Sequence, residues 1–307
     1  MMPVQSNSQT IPVTVIMLTL NEEFNLPGAI DNVKDWAEEV FIVDSCSTDR
    51  TVDIALERGV KIVQRPFTNF GDQWNFALDH LPVATPWTLK LDPDERLSEK
   101  LKDSIAKVVT NGAECDGYEM VLRLWFMGKP LHVQQPVLRL WRTGKCRFSN
   151  VIVNEHPLVD GKIGRLEGLM EHFDSSDLHH WVDKQNRYTT MEAIMRASGA
   201  ALAVQPRLLG NPLERRMFFK KYFFRIPFRF QLLFLYHLIV CGVWRNGAEG
   251  WTWARLRTEV FRATDLKTRE ILKTGRIPEL SKVPHGDYDA RVLASPLQQV
   301  FMQETKD

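Results

Sequence analysis

The N-terminal third of the chain alternates between short apolar runs and segments whose apolar residues recur at helical spacing. Nearly continuous apolar runs are typical of strands that are buried on both faces of a parallel sheet. The runs predict four strands, at Val13–Leu18, Val40–Val43, Val60–Val63 and Trp87–Leu91. The other segments predict four helices, at Phe24–Trp36, from a Ser47 or Thr48 cap through Arg58, at Phe70–Leu81 and at Ser98–Val109. Such alternation predicts βαβ units, and therefore an α/β fold with a doubly wound, mainly parallel sheet flanked by helices.

The pattern changes after Gly112. Two segments, Tyr118–Trp125 and Val137–Trp141, predict strands on either side of a loop that contains Gly, Pro and His. A short third strand is predicted at Val151–Val153, and a helix at Trp181–Ala203. We expect an antiparallel extension of the sheet here, because the strands follow one another without intervening helices.

Polar, acidic loops follow three of the predicted strands. These loops are Thr19–Glu22, Asp44–Asp49 and Asp92–Glu95. In an open α/β sheet, ligands bind at the carboxyl ends of the strands, so the three loops are expected to border one crevice. Asp92 and Asp94 lie one residue apart and can share a divalent cation, which can in turn hold a diphosphate. Taken alone, the same motif also fits a solvated acidic turn.

Composition narrows the class of protein. The 307 residues carry a formal net charge of +1, so no general basic field favours nucleic acid as a partner. The four cysteines have no C-x-x-C spacing, which disfavours a zinc site or disulfide framework and suits a reducing cytoplasm. Residues 1–11 are polar, lack the regions of a signal peptide, and are expected to be disordered.

Residues 206–272 differ sharply in composition, because basic and aromatic side chains are interleaved there. The uncharged run Phe230–Trp244 is shorter than the roughly 20 residues that a spanning helix needs. A basic, aromatic, amphipathic helical segment favours binding in the interface of an anionic membrane. A core helix with its basic residues facing water is the alternative. The polar tail, residues 273–307, is expected to be irregular.

The motifs that are missing also limit the chemistry. The chain has neither a G-x-x-x-x-G-K-[ST] loop nor a G-x-G-x-x-G sequence, which disfavours a kinase, a P-loop ATPase and a Rossmann dehydrogenase. A metal held by Asp92 and Asp94 would supply the positive charge that a diphosphate needs. Asp44, at a strand end, is placed to accept a hydrogen bond from a base or ribose.

Three segments together resemble family 2 glycosyltransferases of the GT-A fold. They are V-T-V-I-M-L-T-L-N-E-E, V-D-S-C-S-T-D-R-T and L-D-P-D-E, in that order. More narrowly they resemble the bacterial lipopolysaccharide-core and exopolysaccharide branch, as do P-V-L-R-L-W-R-T-G, N-E-H and K-Q-N-R-Y-T. Pro93 departs from that branch, which usually has a small residue there. Trp74 also departs, since a basic residue is common at its position.

The resemblance implies a nucleotide-sugar-binding half at residues 12–110 and an acceptor-binding half at 111–205. It implies inverting transfer of a sugar, most simply from a UDP-sugar, with Mn²⁺ or Mg²⁺ as cofactor. Asp94 is implied as the principal metal ligand, with Asp92 near the ribose or the metal. The nucleotide site is implied to be lined by Thr19, Asn21, Glu22 and Asp44, and Gln73 and Asn75 lie at a helix start that can face the nucleotide.

Glu155 is the predicted general base for the acceptor hydroxyl, because it follows a short strand on the acceptor side. His156 is expected to orient or pack. His172 fits either a metal or phosphate contact or a structural, hydrogen-bonded histidine. Arg139 fits a phosphate contact or the solvated face of a strand equally well. Glu95 is left open between supporting a neighbouring residue and capping the turn.

The leading hypothesis is a cytoplasmic glycosyltransferase, peripheral on the inner face of the bacterial cytoplasmic membrane, with a lipid-linked or lipopolysaccharide-core saccharide as acceptor. A membrane-associated scaffold that binds nucleotide-sugars without catalysis is one alternative. A sugar nucleotidyltransferase is another, although the acidic T-L-N-E-E loop lacks the Gly-rich, basic character expected after its first strand. The sequence leaves the sugar, the base, the acceptor and the oligomeric state open.

Overall fold

One mixed sheet organises the molecule. A computed structural model describes residues 10–149, 156–175, 177–199, 205–210 and 212–278. The strands in these ranges are β1 (Ile11–Thr19), β2 (Ala37–Asp44), β3 (Lys61–Gln64), β4 (Trp87–Lys90), β5 (Glu95–Leu97), β6 (Gly117–Phe126), β7 (Lys129–Arg142), β8 (Cys146–Phe148), β9 (Pro157–Val159) and β10 (Ile163–His172). Eight of them form a sheet in the order β3-β2-β1-β4-β7-β6-β10-β5, and β8 pairs with β9.

Helices flank the sheet and extend beyond it. They are α1 (Leu26–Val33), α2 (Thr51–Glu57), α3 (Phe70–His80), α4 (Glu99–Asn111), α5 (Leu178–Ala197), α6 (Pro212–Tyr222), α7 (Arg229–Leu235) and α8 (Gly247–Thr274). Strand pairs β1–β2, β1–β4, β2–β3 and β6–β10 are parallel, whereas β4–β7, β6–β7 and β5–β10 are antiparallel. The predicted mixed, mainly parallel α/β sheet with a C-terminal helical extension is therefore confirmed.

The continuous apolar run of β1 is explained by packing on both faces. Val15 and Met17 are fully buried in a core that includes Ile30 of α1 and Leu101 of α4. Ile16, whose side chain alternates with theirs, is fully buried in a second core with α3. A strand with a helix layer on each face needs apolar residues at both parities, so it shows no alternation.

The register of the parallel strands brings their polar ends together. Thr19 at the end of β1 pairs with Asp44 at the end of β2, and Asp44 pairs with Gln64 at the end of β3. The loop after β4 begins beside them, because Leu91 donates a backbone hydrogen bond to Ile16. The three acidic loops therefore share one edge of the sheet, as predicted.

Several local predictions differ from the structure. Helix α2 begins at Thr51 after Arg50, without a side-chain cap from Ser47 or Thr48, whose side chains instead contact the neighbouring loops. The predicted loop before Val137 is strand, since a two-residue turn at Met127 and Gly128 joins β6 directly to β7. Both turn residues have positive φ angles (51° and 75°), as tight hairpins require. The short strands β5, β8 and β9 and the long β10 were not predicted.

The basic, aromatic segment is helical but broken. Helix α6 is followed by a 3-10 turn at Phe223–Arg225, and α7 by a π-helical turn at Tyr236–Val240. Helix α8 then packs along α5. Within the described ranges, no helix combines the length and apolar character required to cross a bilayer. The predictions for residues 1–9, Val151–Val153 and 279–307 lie outside the described residues, whereas Ile11 already belongs to β1.

Candidate functional site

Asp44 organises the loops after β1 and β2. It is fully buried, and its Oδ1 accepts hydrogen bonds from the hydroxyls of Thr19 (2.8 Å) and Ser47. Its Oδ2 accepts from the backbone N–H of Ser47 (2.8 Å) and from the amide of Gln64 (3.1 Å). Each carboxylate oxygen accepts two hydrogen bonds. In this conformation Asp44 therefore acts on the crevice by holding Thr19, Ser47 and Gln64 in place.

Asn21 and Glu22 join the first loop to the second. Asn21 has a positive φ of 53°, a conformation that asparagine tolerates better than most residues. Its Oδ1 accepts from the N–H of Thr48 (2.8 Å), and the N–H of Glu22 donates to the hydroxyl of Thr51 (2.8 Å). Burial, together with the nearby charge of Asp94, raises the pKa of Glu22 to about 7. Asn21 therefore braces the loop, while the Glu22 carboxyl borders the crevice.

Asp92 belongs to a group that we call the Arg139 cluster, formed by Asp92, Glu95 and Arg139. The Arg139 guanidinium donates to Asp92 Oδ2 (2.8 Å) and to Glu95 Oε1. Glu95, only 1% exposed, also accepts the N–H of Asp92 (2.9 Å) and so caps the turn. Burial opposes ionisation of Asp92, but Arg139 and Lys90 hold its pKa below the usual value. Both roles that the sequence left open for Glu95 are therefore present.

Asp94 belongs to a different group, which we call the His172 cluster: Asp94, His172, Asp174 and Lys184. His172, at the end of β10, lies with Nε2 3.1 Å from Asp94 Oδ2. Lys184 of α5 lies with Nζ 2.9 Å from Asp174 Oδ1 and 3.6 Å from Asp94 Oδ2. The loop is tied to β10 by a 2.8 Å hydrogen bond from the Phe173 N–H to the Asp94 carbonyl.

Charge balance sets the ionisation of the His172 cluster. Burial alone would raise the pKa of Asp94, but His172 and Lys184 hold it well below its usual range. Burial would lower the pKa of His172, but the Asp94 carboxylate raises it to about 9. Burial also opposes the charge on Lys184, yet Asp174 and Asp94 raise its pKa. The cluster is therefore an ion-paired network in which two carboxylates face two cations.

The donor set of this cluster fits a divalent cation. Ligand atoms from Asp94, His172 and Asp174 lie within 4.8 Å of one another. Ligands about 2.1 Å from one metal are separated by up to roughly 4 Å, so small side-chain adjustments would close the site. The two carboxylates suit Mg²⁺ and Mn²⁺, and the imidazole nitrogen suits Zn²⁺ and Fe²⁺. The structure groups Asp94 with these residues, whereas Asp92 is held by Arg139.

Arg96 also fixes the D-P-D-E loop. Its guanidinium donates to the carbonyls of Pro93, Glu95 and Asn25, each at 2.7 Å. Gly28 makes room for it, since a Cβ at that position would lie 2.7 Å from Arg96 Nη2. The loop therefore keeps its shape through backbone contacts that leave Asp92 and Asp94 available to other partners.

The two residues predicted at the start of α3 have structural contacts. Gln73 is fully buried and accepts from Arg65 (2.7 Å). Asn75 forms two hydrogen bonds with the backbone of Phe148, at 3.0 and 3.1 Å, so its amide anchors β8. Neither residue is among the side chains that line the cavity described next. Their role as nucleotide contacts stays a prediction.

A cavity of about 830 Å³ opens on the strand ends. It is bordered by polar side chains, namely Thr19, Glu22, Ser45, Lys90, Asp92, Asp94, His156, His172, Asp174 and Lys184. Lys90, 5% exposed, lies 4.5 Å above the Trp74 ring and 3.6 Å from Asp92. The cavity is also bordered by aromatic and apolar side chains from the helical extension, such as Met217, Phe224 and Phe261. The helical extension is therefore part of the site.

The remaining predicted residue, Glu155, lies outside the described residues, while its neighbour His156 lines the cavity. Sequence reasoning assigned no role to Asp174, Lys184 or Lys90. The signal for Lys184 was present in the K-Q-N-R-Y-T segment, and Asp174 stands two residues after His172. Nothing local marked either residue as a partner of Asp94.

Comparison with known proteins identifies the family. The model of glycosyl transferase family 2 matches residues 14–138. An uncharacterized glycosyltransferase of Rickettsia conorii is 30% identical over 73% of this chain and 84% of its own. The lipopolysaccharide core biosynthesis glycosyltransferase LpsC of Rhizobium meliloti is 27% identical over 78% and 85%. Against two other curated relatives, from Rickettsia typhi and Rickettsia prowazekii, this chain spans 66% of their length.

Solved structures overlap less. Glucosyl-3-phosphoglycerate synthase from Mycobacterium tuberculosis is 20% identical over 37% of this chain and 44% of its own, with a TM-score of 0.30. That overlap is too limited to inform the site. The family match at residues 14–138 includes the three strand-end loops, Thr19–Glu22, Asp44–Asp49 and Asp92–Glu95. The chain belongs to glycosyltransferase family 2.

Proposed function

We propose that this protein is an inverting glycosyltransferase that uses a nucleotide-sugar donor and a divalent metal. The observation that carries the proposal is the His172 cluster, in which Asp94, His172 and Asp174 converge at the strand-end edge of a large cavity. This edge is where doubly wound sheets bind their ligands. The cluster joins the D-x-D motif to two residues about 80 positions later, which a solvated acidic turn would not need.

The donor is proposed to lie across the strand ends, with a uridine diphosphate as the simplest carrier. Asp94, His172 and Asp174 would hold Mn²⁺ or Mg²⁺, and Asp92 remains a further proposed ligand or ribose contact. Once bound, the metal neutralises negative charge that develops on the departing diphosphate. Lys90 supplies a second positive charge beside Trp74.

The chain's own residues perform the remaining steps. The acceptor oxygen attacks the anomeric carbon as the bond to the diphosphate breaks, which inverts the configuration without a protein nucleophile. Glu155 is proposed to take the proton from the acceptor hydroxyl, and His156 lines the cavity beside it. Thr19, Asn21, Glu22 and Asp44 hold the first two loops in the shape that the nucleotide meets.

The acceptor is proposed to be a lipid-linked or lipopolysaccharide-core saccharide at the cytoplasmic membrane face. The relative LpsC is described as a lipopolysaccharide core enzyme, and it aligns over most of this chain. The broken helical segment exposes large apolar side chains, including Phe228 at 75% and Val240 at 70%. Exposed apolar residues beside the basic Arg225 and Arg245 suit the interface of an anionic membrane.

Two measurements test the proposal. Nucleotide-sugars are screened with Mn²⁺ and Mg²⁺ by thermal shift, since a ligand that binds the native state raises the melting temperature. Active combinations are then assayed for sugar transfer to lipopolysaccharide-core and lipid-linked acceptors. If no nucleotide-sugar binds and no sugar is transferred across a broad panel of donors and acceptors, the proposed glycosyltransferase activity is wrong. Binding without any transfer would favour the non-catalytic scaffold instead.

Membrane docking is tested separately by sedimentation with anionic and neutral vesicles. Binding is expected for anionic vesicles alone, and it should weaken in Phe228→Ser and Arg225→Gln. Leu158→Ser, on the small β8–β9 sheet, is the matched control, because Leu158 is also exposed (49%) but is not part of the basic segment. Equal binding by all of these variants would contradict the assignment.

A further inference from the structure

Lys184 contacts two of the three residues that a divalent cation would use. Its Nζ lies 2.9 Å from Asp174 Oδ1, 3.1 Å from the Asp174 carbonyl and 3.6 Å from Asp94 Oδ2. The ammonium group therefore neutralises Asp94 and Asp174 in this structure. A cation bound by the same oxygens would stand at close range to the ammonium, and like charges at such range repel strongly where water is scarce.

The lysine is placed to have a second partner. It lines the same cavity as Lys90, which is proposed to supply positive charge to the donor diphosphate. Its side chain is only 17% exposed, so most of the surrounding space is filled by protein. A lysine carries its charge on a flexible four-carbon stem, and rotation of that stem can redirect the ammonium while α5 stays in place.

We propose that Lys184 is an exchangeable countercharge: it pairs with Asp94 and Asp174 in the free enzyme and moves to the donor diphosphate when a divalent cation binds those carboxylates. The inference rests on the proposed donor chemistry and adds a residue to it. Metal alone must displace the ammonium, whereas metal with nucleotide gives the ammonium a new anion. Lys184 thus couples the two binding events, and such coupling is reciprocal.

A structural ion pair predicts something different. If Lys184 served only to hold α5 against the sheet, its removal would loosen the cluster and weaken metal and nucleotide binding together. An exchangeable countercharge predicts opposite changes in the two affinities. Its removal strengthens metal binding, because the carboxylates are freed, and weakens nucleotide binding, because the diphosphate loses a cation. The two explanations therefore separate without an assay of turnover.

The test uses the full chain with Lys184→Gln and Lys184→Met. Binding of Mn²⁺ alone is measured from the electron paramagnetic resonance signal of the unbound ion, and UDP binding at saturating Mn²⁺ by calorimetry. We expect Mn²⁺ to bind about tenfold more tightly and UDP about tenfold more weakly than in wild type, within the usual range of coupling between sites. Unchanged or weaker Mn²⁺ binding in a folded neutral variant would overturn the proposal.

Two further variants guard the interpretation. Lys267→Gln removes another lysine that binds α5, through Asn186, Thr189 and Thr190, and should leave both affinities unchanged. Lys184→Arg keeps the charge and should retain wild-type Mn²⁺ affinity. This variant also serves if the neutral variants do not fold. Tighter Mn²⁺ binding by Lys184→Arg would then overturn the proposed exchange of Lys184 between the carboxylates and the diphosphate. Wild-type protein that binds neither Mn²⁺ nor UDP and transfers no sugar would refute the proposed function itself. Normal wild-type binding with unaltered variants would refute only the role of Lys184.

Discussion

Asp92 and Asp94 stand two positions apart and have almost nothing in common. Asp92 shares Arg139 with Glu95, and the Arg139 cluster draws its members from the turn after β4, the start of β5 and the strand β7. Asp94 meets His172, Asp174 and Lys184, which arrive from β10, the segment after it, and α5. The first group pairs one arginine with two carboxylates, whereas the second pairs two carboxylates with a histidine and a lysine. We expect the two carboxylates of this D-x-D motif to divide between stability and chemistry.

The largest expected effect comes from breaking the Arg139 cluster. Arg139→Leu leaves Glu95 and Asp92 without their shared cation, and Glu95 is buried. Removing one partner of a buried pair costs about 3–5 kcal/mol of the free energy of unfolding. Chemical denaturation measures the loss. Arg50→Leu is the control, because the Arg50–Glu57 pair is exposed on both sides (65% and 58%) and is worth at most about 1 kcal/mol.

The next effect concerns activity. Asp94→Asn removes a carboxylate from the His172 cluster and should lower sugar transfer by about 10²–10³-fold, as loss of a key electrostatic contact does. The fold should be retained, which circular dichroism can check. Asp92→Asn is the matched comparison, and it should lower the denaturation midpoint while reducing transfer less. If the two variants lost activity equally and kept equal stability, the division between the clusters would be wrong.

A third change acts on both clusters at once. Gly28→Ala places a methyl group against the Arg96 guanidinium, which holds the loop through three carbonyls. Overpacking of this kind costs about 1–3 kcal/mol. Adding Arg96→Met should give a double variant less destabilised than the sum of the single variants, because both act through one contact. Strict additivity in denaturation experiments would contradict this link.

A fourth effect is a pH dependence at Glu22. Its pKa is raised to about 7 in the folded protein by burial and by Asp94, above the ordinary value of 4.5. The folded state therefore binds this proton more tightly than the unfolded state, and the associated stability is present below pH 4.5 and lost as the pH rises through about 7. Glu22→Gln should gain melting temperature relative to wild type between pH 5 and pH 8. A constant difference across that interval would show that the carboxyl is not perturbed.

The sequence predicted the N-terminal strands well, because local pattern determines them. Strands β1 to β4 are signalled by their own apolar residues, and a parallel sheet places polar strand ends at one edge. The loops at Thr19, Asp44 and Asp92 were accordingly found together. The family resemblance rested on the same stretch, and it is confirmed.

The local sequence pattern could not predict which residues pair with Asp92 and Asp94. Arg139 was balanced between a phosphate contact and a solvated strand face, and the structure turns it inward onto Asp92 and Glu95. Nothing within ten residues of Asp94 specifies His172, since their contact depends on how β10 enters the sheet. The interleaved apolar and charged residues of β10 were too irregular to predict a strand. Glu155 as the base stays a prediction.

The position of β10 has a consequence for how the protein is made. This strand lies between β5 and β6, both of which precede it in the chain. That part of the sheet therefore cannot form until β10 has been synthesised. During synthesis at about 5–20 residues per second, Asp94 is made several seconds before His172 and Lys184. Until then its carboxylate has neither of these cations nearby. The His172 cluster is thus expected to be among the last parts of the molecule to form, and a chain interrupted before β10 would carry the D-P-D-E motif without a site.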